Sequence, residues 1–164
     1  MKKLIFLILI VALVVFLVSK FGADRILNGS LPGDFLYSLK KSWEWANLNL
    51  LTFTDEGKVK LELKFMQERV SELEQLQKDG KLTVEKAKQL TDEYNNLAQS
   101  VNKGITDIQG AQNSVDSLVR QAQEISQKHK GAVDEIIKSA PGTTADLLKK
   151  ASDLGESLFK KISR

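Results

Sequence analysis

Apolar side chains follow two patterns along this chain. From Leu4 to Val18 they form one unbroken run of fifteen residues. From Phe35 onward they recur at spacings of three and four, the period of an amphipathic helix. Asp34, behind the Pro32-Gly33 turn, is placed to cap a helix over Phe35 to about Leu51, with Phe35, Leu36, Leu39, Trp43, Ala46 and Leu50 on one face. Thr54 or Asp55 caps a second helix, in which Val59, Leu63, Met66, Val70 and Leu73 make a heptad-like stripe widened by Leu61, Phe65 and Leu76. Lys78-Asp79-Gly80-Lys81 ends that helix, with Gly80 suited to the left-handed cap. Thr83 restarts a third, carrying Val84, Ala87, Leu90, Tyr94, Leu97 and Val101, and Ile105 and Ile108 prolong the stripe. So short a connection predicts an antiparallel hairpin.

Beyond Val101 the chain turns rich in Gln and Asn and contains Gly104, Gly110 and Gly131. Val115, Leu118, Ala122 and Ile125 keep helical phase, but each interior Gly costs about 1 kcal/mol relative to Ala, so a bend or break is expected. Ala140-Pro141-Gly142 is a stop, and Thr143 or Thr144 caps a last helix with Leu147, Ala151, Leu154, Leu158 and Ile162 on one side. The spacing therefore predicts an all-α protein: an N-terminal transmembrane helix over 1–21, a tether over 22–33, an antiparallel helical hairpin domain over 34–110, a polar helical extension over 111–140 and a C-terminal amphipathic helix over 143–164.

The apolar run decides the expected location. A bilayer core of about 30 Å needs about 20 helical residues, and the run reaches eighteen if Ser19, a snorkelling Lys20 and Phe21 are included. Cleavage by a signal peptidase needs small residues at alternate positions, and Ser19, Gly22 and Ala23 are each preceded two back by Leu17, Lys20 or Phe21. An uncleaved signal-anchor is favoured over a cleaved signal. Lys2 and Lys3 form a short basic region ahead of the run, which places the N-terminus in the cytoplasm and the bulk of the chain beyond a cell membrane crossed once. Membrane lipid is thus the expected partner of residues 4–21.

Charge adds little beyond this. The chain has 24 Lys and Arg against 21 Asp and Glu. The surplus sits around the apolar run, at Lys2, Lys3, Lys20 and Arg25 less Asp24, so the body is balanced and no nucleic-acid partner is expected. With no Cys there are no disulfides and no thiolate chemistry.

Nor does any residue set point to catalysis, a cofactor or a metal. His129, the only histidine, stands between Lys128 and Lys130 without partners and is expected as a solvated helix residue. Glu62, Glu68 and Glu72, interleaved with Lys64 and Arg69, fit an i, i+4 salt-bridge lattice better than an acid–base pair. Asp34 fits a cap. Trp43 lies on an apolar stripe, whereas Trp45 is off-phase and could be partly buried or sit at a headgroup belt. The last helix, with Lys149, Lys150, Lys160 and Lys161 offset by Asp146, Asp153 and Glu156, is expected to pack back rather than bind lipid.

The stretch Leu31-Pro32-Gly33-Asp34-Phe35-Leu36-Tyr37-Ser38-Leu39-Lys40-Lys41, with Glu44 one turn on, resembles bacterial domain-of-unknown-function family 5667 over roughly residues 31–110. Ser38 stands where that family usually has Pro. Lys60-Leu61 and Glu68-Arg69-Val70, followed by Glu72-Leu73, look like the family's second helix. The resemblance implies an exported helical domain and brings no activity, ligand or catalytic residue. The function expected is that of a non-enzymatic, membrane-anchored cell-envelope module that presents helical surfaces to a protein partner or to itself. The alternatives are an exported stress-sensing or holdase-like protein, to which Leu82-Thr83-Val84-Glu85 bears a faint likeness, or a signalling accessory.

Overall fold

The computed structural model describes residues 27, 29–111, 115–139 and part of 142–157, and among these every regular element is helical. The expected anchor over 1–21, half of the tether, the caps Thr143 and Thr144 and all of the final apolar stripe lie outside the described residues. Among those described, no helix is long and apolar enough to cross a membrane. The chain divides into two units, Met1–Glu44 and Trp45–Arg164.

In the first unit, Ser30 donates from Oγ to the Leu27 carbonyl at 2.6 Å. The Pro-Gly turn follows. Gly33 has φ 101°, the left-handed conformation that a turn with Pro at its second position and Gly at its third requires. Asp34 closes this turn twice: its N–H donates to Leu31 O at 2.9 Å, and its carboxylate accepts from Leu31 N at 2.8 Å. The Asp34 carboxylate therefore points backward and does not cap the helix ahead, as the sequence had suggested.

Helix α1 runs Tyr37–Ala46 and passes into one π-helical turn, Asn47–Leu51. Its buried residues are Tyr37, Lys40 and Glu44, with Lys41 Nζ 2.7 Å from Glu44 Oε2. The face expected to be buried is largely open: Phe35, Leu36, Leu39 and Leu50 are exposed, and Trp43 and Ala46 half-buried. Tyr37, Lys40 and Glu44 share a face through steps of three and four, and burying that face turns the neighbouring leucines outward. The stem of Lys40 can lie in apolar surroundings because only its ammonium needs polar company.

The second unit is built on a helical hairpin. Thr54, in extended conformation, accepts from Gly57 N at 3.1 Å and opens α2, Asp55–Lys78. Asp55 and Glu56 in its first turn complement the helix dipole. At the far end Lys81 N donates to Leu76 O at 2.9 Å and Gly80 N to Gln77 O at 3.1 Å, with Gly80 at φ 65°. This pair of bonds is a Schellman motif, which a residue with a Cβ would strain. Thr83 accepts from Lys86 N at 3.3 Å and opens α3, Val84–Gly110. Both caps and the Gly80 stop are where the sequence places them.

Chain direction reverses through 79–83, so α2 and α3 lie antiparallel along their lengths. Val59, Leu63, Met66 and Val70 meet Tyr94, Ala98, Val101 and Ile105 in one core. Near the open end the helices approach closely: a Cβ on Gly104 would stand 2.5 Å from Val59 Cγ2. Gly104 does not break α3. Helix α3 ends at Gly110, and α4, Asp116–Ser139, follows. This helix does more than extend the hairpin. It packs chiefly on α2, and its Leu118, Ala122, Ile125 and Ala132 join the same core. The described residues between 142 and 157 are helical, Leu148 and Ser152 are buried, and Glu156 Oε2 lies 2.7 Å from Lys130 Nζ of α4.

Candidate functional site

Residues singled out for their chemistry fall in two places, a buried polar seam inside the bundle and an exposed apolar stretch at its start. The seam begins on α2. Beside its apolar stripe runs a second one, Glu62, Phe65, Arg69, Glu72 and Leu76, at the same alternating steps, and all five are buried. Arg69, with no exposed side-chain surface, donates from Nη2 to Glu72 at 2.8 Å and from Nη1 to Glu93 of α3 at 2.8 Å. Gln89 Nε2 holds the other Glu93 oxygen at 3.0 Å. The guanidinium fork thus bridges two carboxylates, one on its own helix and one on the next, with a separate N–H for each.

One helical level up the bundle, Ser100 Oγ donates to Glu62 Oε1 at 2.5 Å. Burial raises the Glu62 carboxyl above its ordinary value, and the Ser100 bond and the Lys58 charge only partly offset this. The expected salt-bridge lattice is real at Arg69–Glu72, at 2.8 Å, and at Lys64–Glu68, at 3.8 Å. Its setting differs from the expectation, because Arg69, Glu72 and Glu62 are buried and not solvated.

His129 departs furthest from expectation. It is 2 % exposed, and its ring lies flat on that of Tyr94, centroids 3.8 Å apart and planes 7° apart. Burial pushes its imidazole down to about 4. The same burial drives the Tyr94 phenol well above its usual range, with Ser126 pulling the other way. At neutral pH the pair is therefore an uncharged aromatic stack joining α3 to α4. The polar neighbours Lys128 and Lys130 hid this in the sequence. The register showed it, since His129 continues Ala122 and Ile125 toward Ala132 and Ile136 by steps of three and four.

Two open grooves of about 300 and 320 Å³ lie along α2 and α4, one at Lys78 and Ile136, the other at Lys60 and Lys128. Neither is lined by Tyr94 or His129. Among the described residues no group of three or more His, Asp or Glu is placed to hold a metal ion.

The second place is the stretch of sequence 35–53, which carries exposed apolar side chains in each unit. Among the described residues, eight large hydrophobics are exposed, and only Val84 lies outside this stretch. Phe35, Leu36 and Leu39 belong to the first unit, and Trp45, Leu50, Leu51 and Phe53 to the second. Single exposed leucines are ordinary, whereas Trp45, Leu50, Leu51 and Phe53 put four large exposed apolar side chains within nine residues of the second unit. Periodicity assigned several of these residues to a core and so concealed the surface.

A family model described as a domain of unknown function (DUF5667) matches residues 29–143. The match runs from the Pro-Gly turn through α4, well past residue 110, so the third helix of the bundle belongs to the same domain as the hairpin. No curated protein and no solved structure matches the chain.

Proposed function

The chain belongs to the family of unknown function DUF5667, and we propose that it is a non-enzymatic module held at a cell membrane by residues 4–21, with its N-terminus in the cytoplasm and its helical bundle outside. The bundle offers its surfaces to a protein partner or to a second copy of the chain. The observation that carries this reading is the crowding of exposed large apolar side chains into Phe35–Phe53, the stretch that follows the apolar run and tether. Support also comes from buried charged groups that pair with other side chains of the bundle: Arg69 with Glu72 and Glu93, and Glu62 with Ser100. Such pairing fixes helix register and leaves little free to act on a substrate.

The test uses the full chain with a C-terminal tag. It should resist extraction from membranes by alkaline carbonate, and protease added outside the cell should remove the tag. Extraction into the soluble fraction, or a protected tag, would overturn the location. Light scattering in detergent then measures self-association.

A second reading, an exported holdase, draws on the same exposed Phe, Leu and Trp side chains, which are what an unfolded client would meet. It requires suppression of client aggregation, and no protection at several-fold excess of the full chain removes it.

A further inference from the structure

From Trp45 to Thr54 the sequence contains no charged residue, although 27 % of the chain is Asp, Glu, Lys or Arg. In the second unit this stretch forms the end of α1, the π-helical turn Asn47–Leu51 and the lead into α2. Its large side chains face outward: Trp45 is 60 % exposed, Leu50 56 %, Leu51 55 % and Phe53 87 %. Polar side chains between them turn back on the backbone. Asn49 donates from its amide to Trp45 O at 2.8 Å, and Thr52 Oγ1 donates to Asn47 O at 2.8 Å. One carbonyl of α1 and one of the π-helical turn thus accept from side chains, which suits a backbone entering an apolar boundary.

We propose that Trp45–Phe53 seats in the lipid–water interface of the membrane that holds residues 4–21, so that the start of the bundle rests on the bilayer surface. The inference rests on the anchored reading given above. Three features select lipid over a protein as the occupant. Trp and Phe beside Leu, with Asn and Thr between, match the headgroup boundary, where amphipathic rings and apolar side chains gather. Absence of charge across the stretch removes the steering and pairing groups that a protein partner ordinarily meets at a rim. The chain itself supplies proximity, because the apolar run ends at Val18, before the tether and α1.

The test places the full chain, carrying Trp43→Phe so that Trp45 is the sole tryptophan, in phosphatidylcholine vesicles whose acyl chains are brominated close to the headgroup. Brominated lipid should quench more than half of the Trp45 emission, and aqueous iodide should quench little of it. Replacing Leu50, Leu51 and Phe53 together by Ser should raise iodide quenching at least threefold while the chain still floats with the vesicles. Flotation together with strong iodide quenching in the unsubstituted surface overturns this proposal and leaves the anchor standing. Protection from both quenchers means that a second chain covers the surface, and also overturns it. Failure to float overturns the anchor and the proposal with it.

Discussion

The imidazole of His129 lies parallel to the phenol ring of Tyr94 at a centroid distance of 3.8 Å, and through this contact α4 is joined to α3 as well as to α2. The unfolded chain protonates His129 near its ordinary 6.5, whereas the folded chain does so only near 4. Folding stability from this group is therefore present above pH 6.5 and is lost as pH falls from 6.5 to about 4. The gap corresponds to about 3 kcal/mol at most. His129→Phe keeps an aromatic in the stack and should flatten this dependence. Urea midpoints at pH 7 and pH 4.5 would show it, and an equal acid loss in the variant would refute it.

Glu62 works in the opposite direction. Its folded carboxyl is raised, so the cost of burying its charge is present at neutral pH and relieved as pH falls through the folded value. Glu62→Gln can still accept from Ser100 and carries no charge. It should be at least as stable as the parent at pH 7 and lose that advantage in acid, measured by the same urea midpoints. Comparing both variants separates the two groups.

Removing one partner of the buried ion network should cost far more than replacing its charge with bulk. Arg69→Ala leaves Glu72 buried without its cation and should lose about 3–5 kcal/mol. Arg69→Met fills the space, and paired with Glu72→Gln it should recover most of that loss. Thermal melts of the two variants decide the point. Equal melting would refute the predicted recovery.

Gly104 presents two opposed effects. Ala is intrinsically better in a helix by about 1 kcal/mol, but its Cβ would lie 2.5 Å from Val59 Cγ2. Val is confined to one preferred rotamer in a helix and cannot swing aside, so the clash wins and Gly104→Ala should lose about 1–3 kcal/mol. Adding Val59→Ala should then be less harmful than the two single losses summed. Gly131, in α4 with nothing within 4 Å of an added Cβ, is the control, and Gly131→Ala should gain up to about 1 kcal/mol.

Side-chain caps give a smaller signal. Thr54→Ala and Thr83→Ala each strip an acceptor from a free amide, at Gly57 and Lys86, and should each cost about 1 kcal/mol by denaturant titration.

Local chemistry made the hairpin legible: Thr54, Gly80 and Thr83 act within a few residues of themselves, and their roles survive in the structure. Periodicity also identified most of the stripe from Val59 to Ile108. It failed where residue type and register disagree. Arg69, Glu72 and His129 are polar by composition and interior by phase, and phase was the better guide because each finds a partner that repays burial. It failed in the other sense at Leu36, Leu39 and Leu50, where a stripe of the right spacing faces outward. Nor does periodicity say which helix a third one will meet, so the seating of α4 on α2 had to come from packing. The exposed stretch from Trp45 to Phe53 was visible only as one off-phase tryptophan.

Ties between α2 and α3 step outward from the Gly80 turn. Arg69 and Glu93 are 24 residues apart in sequence, and Glu62 and Ser100 are 38 apart. Closing a loop costs only about 0.6 kcal/mol more for each doubling of its length, so each tie made lowers the search left for the next. The hairpin can therefore zip from its bend toward Thr54 and Gly110 before α4 arrives. A chain delivered N-terminus first would have this half assembled while residues beyond 110 are still emerging, and Tyr94 would wait, half covered, for His129 to close over it.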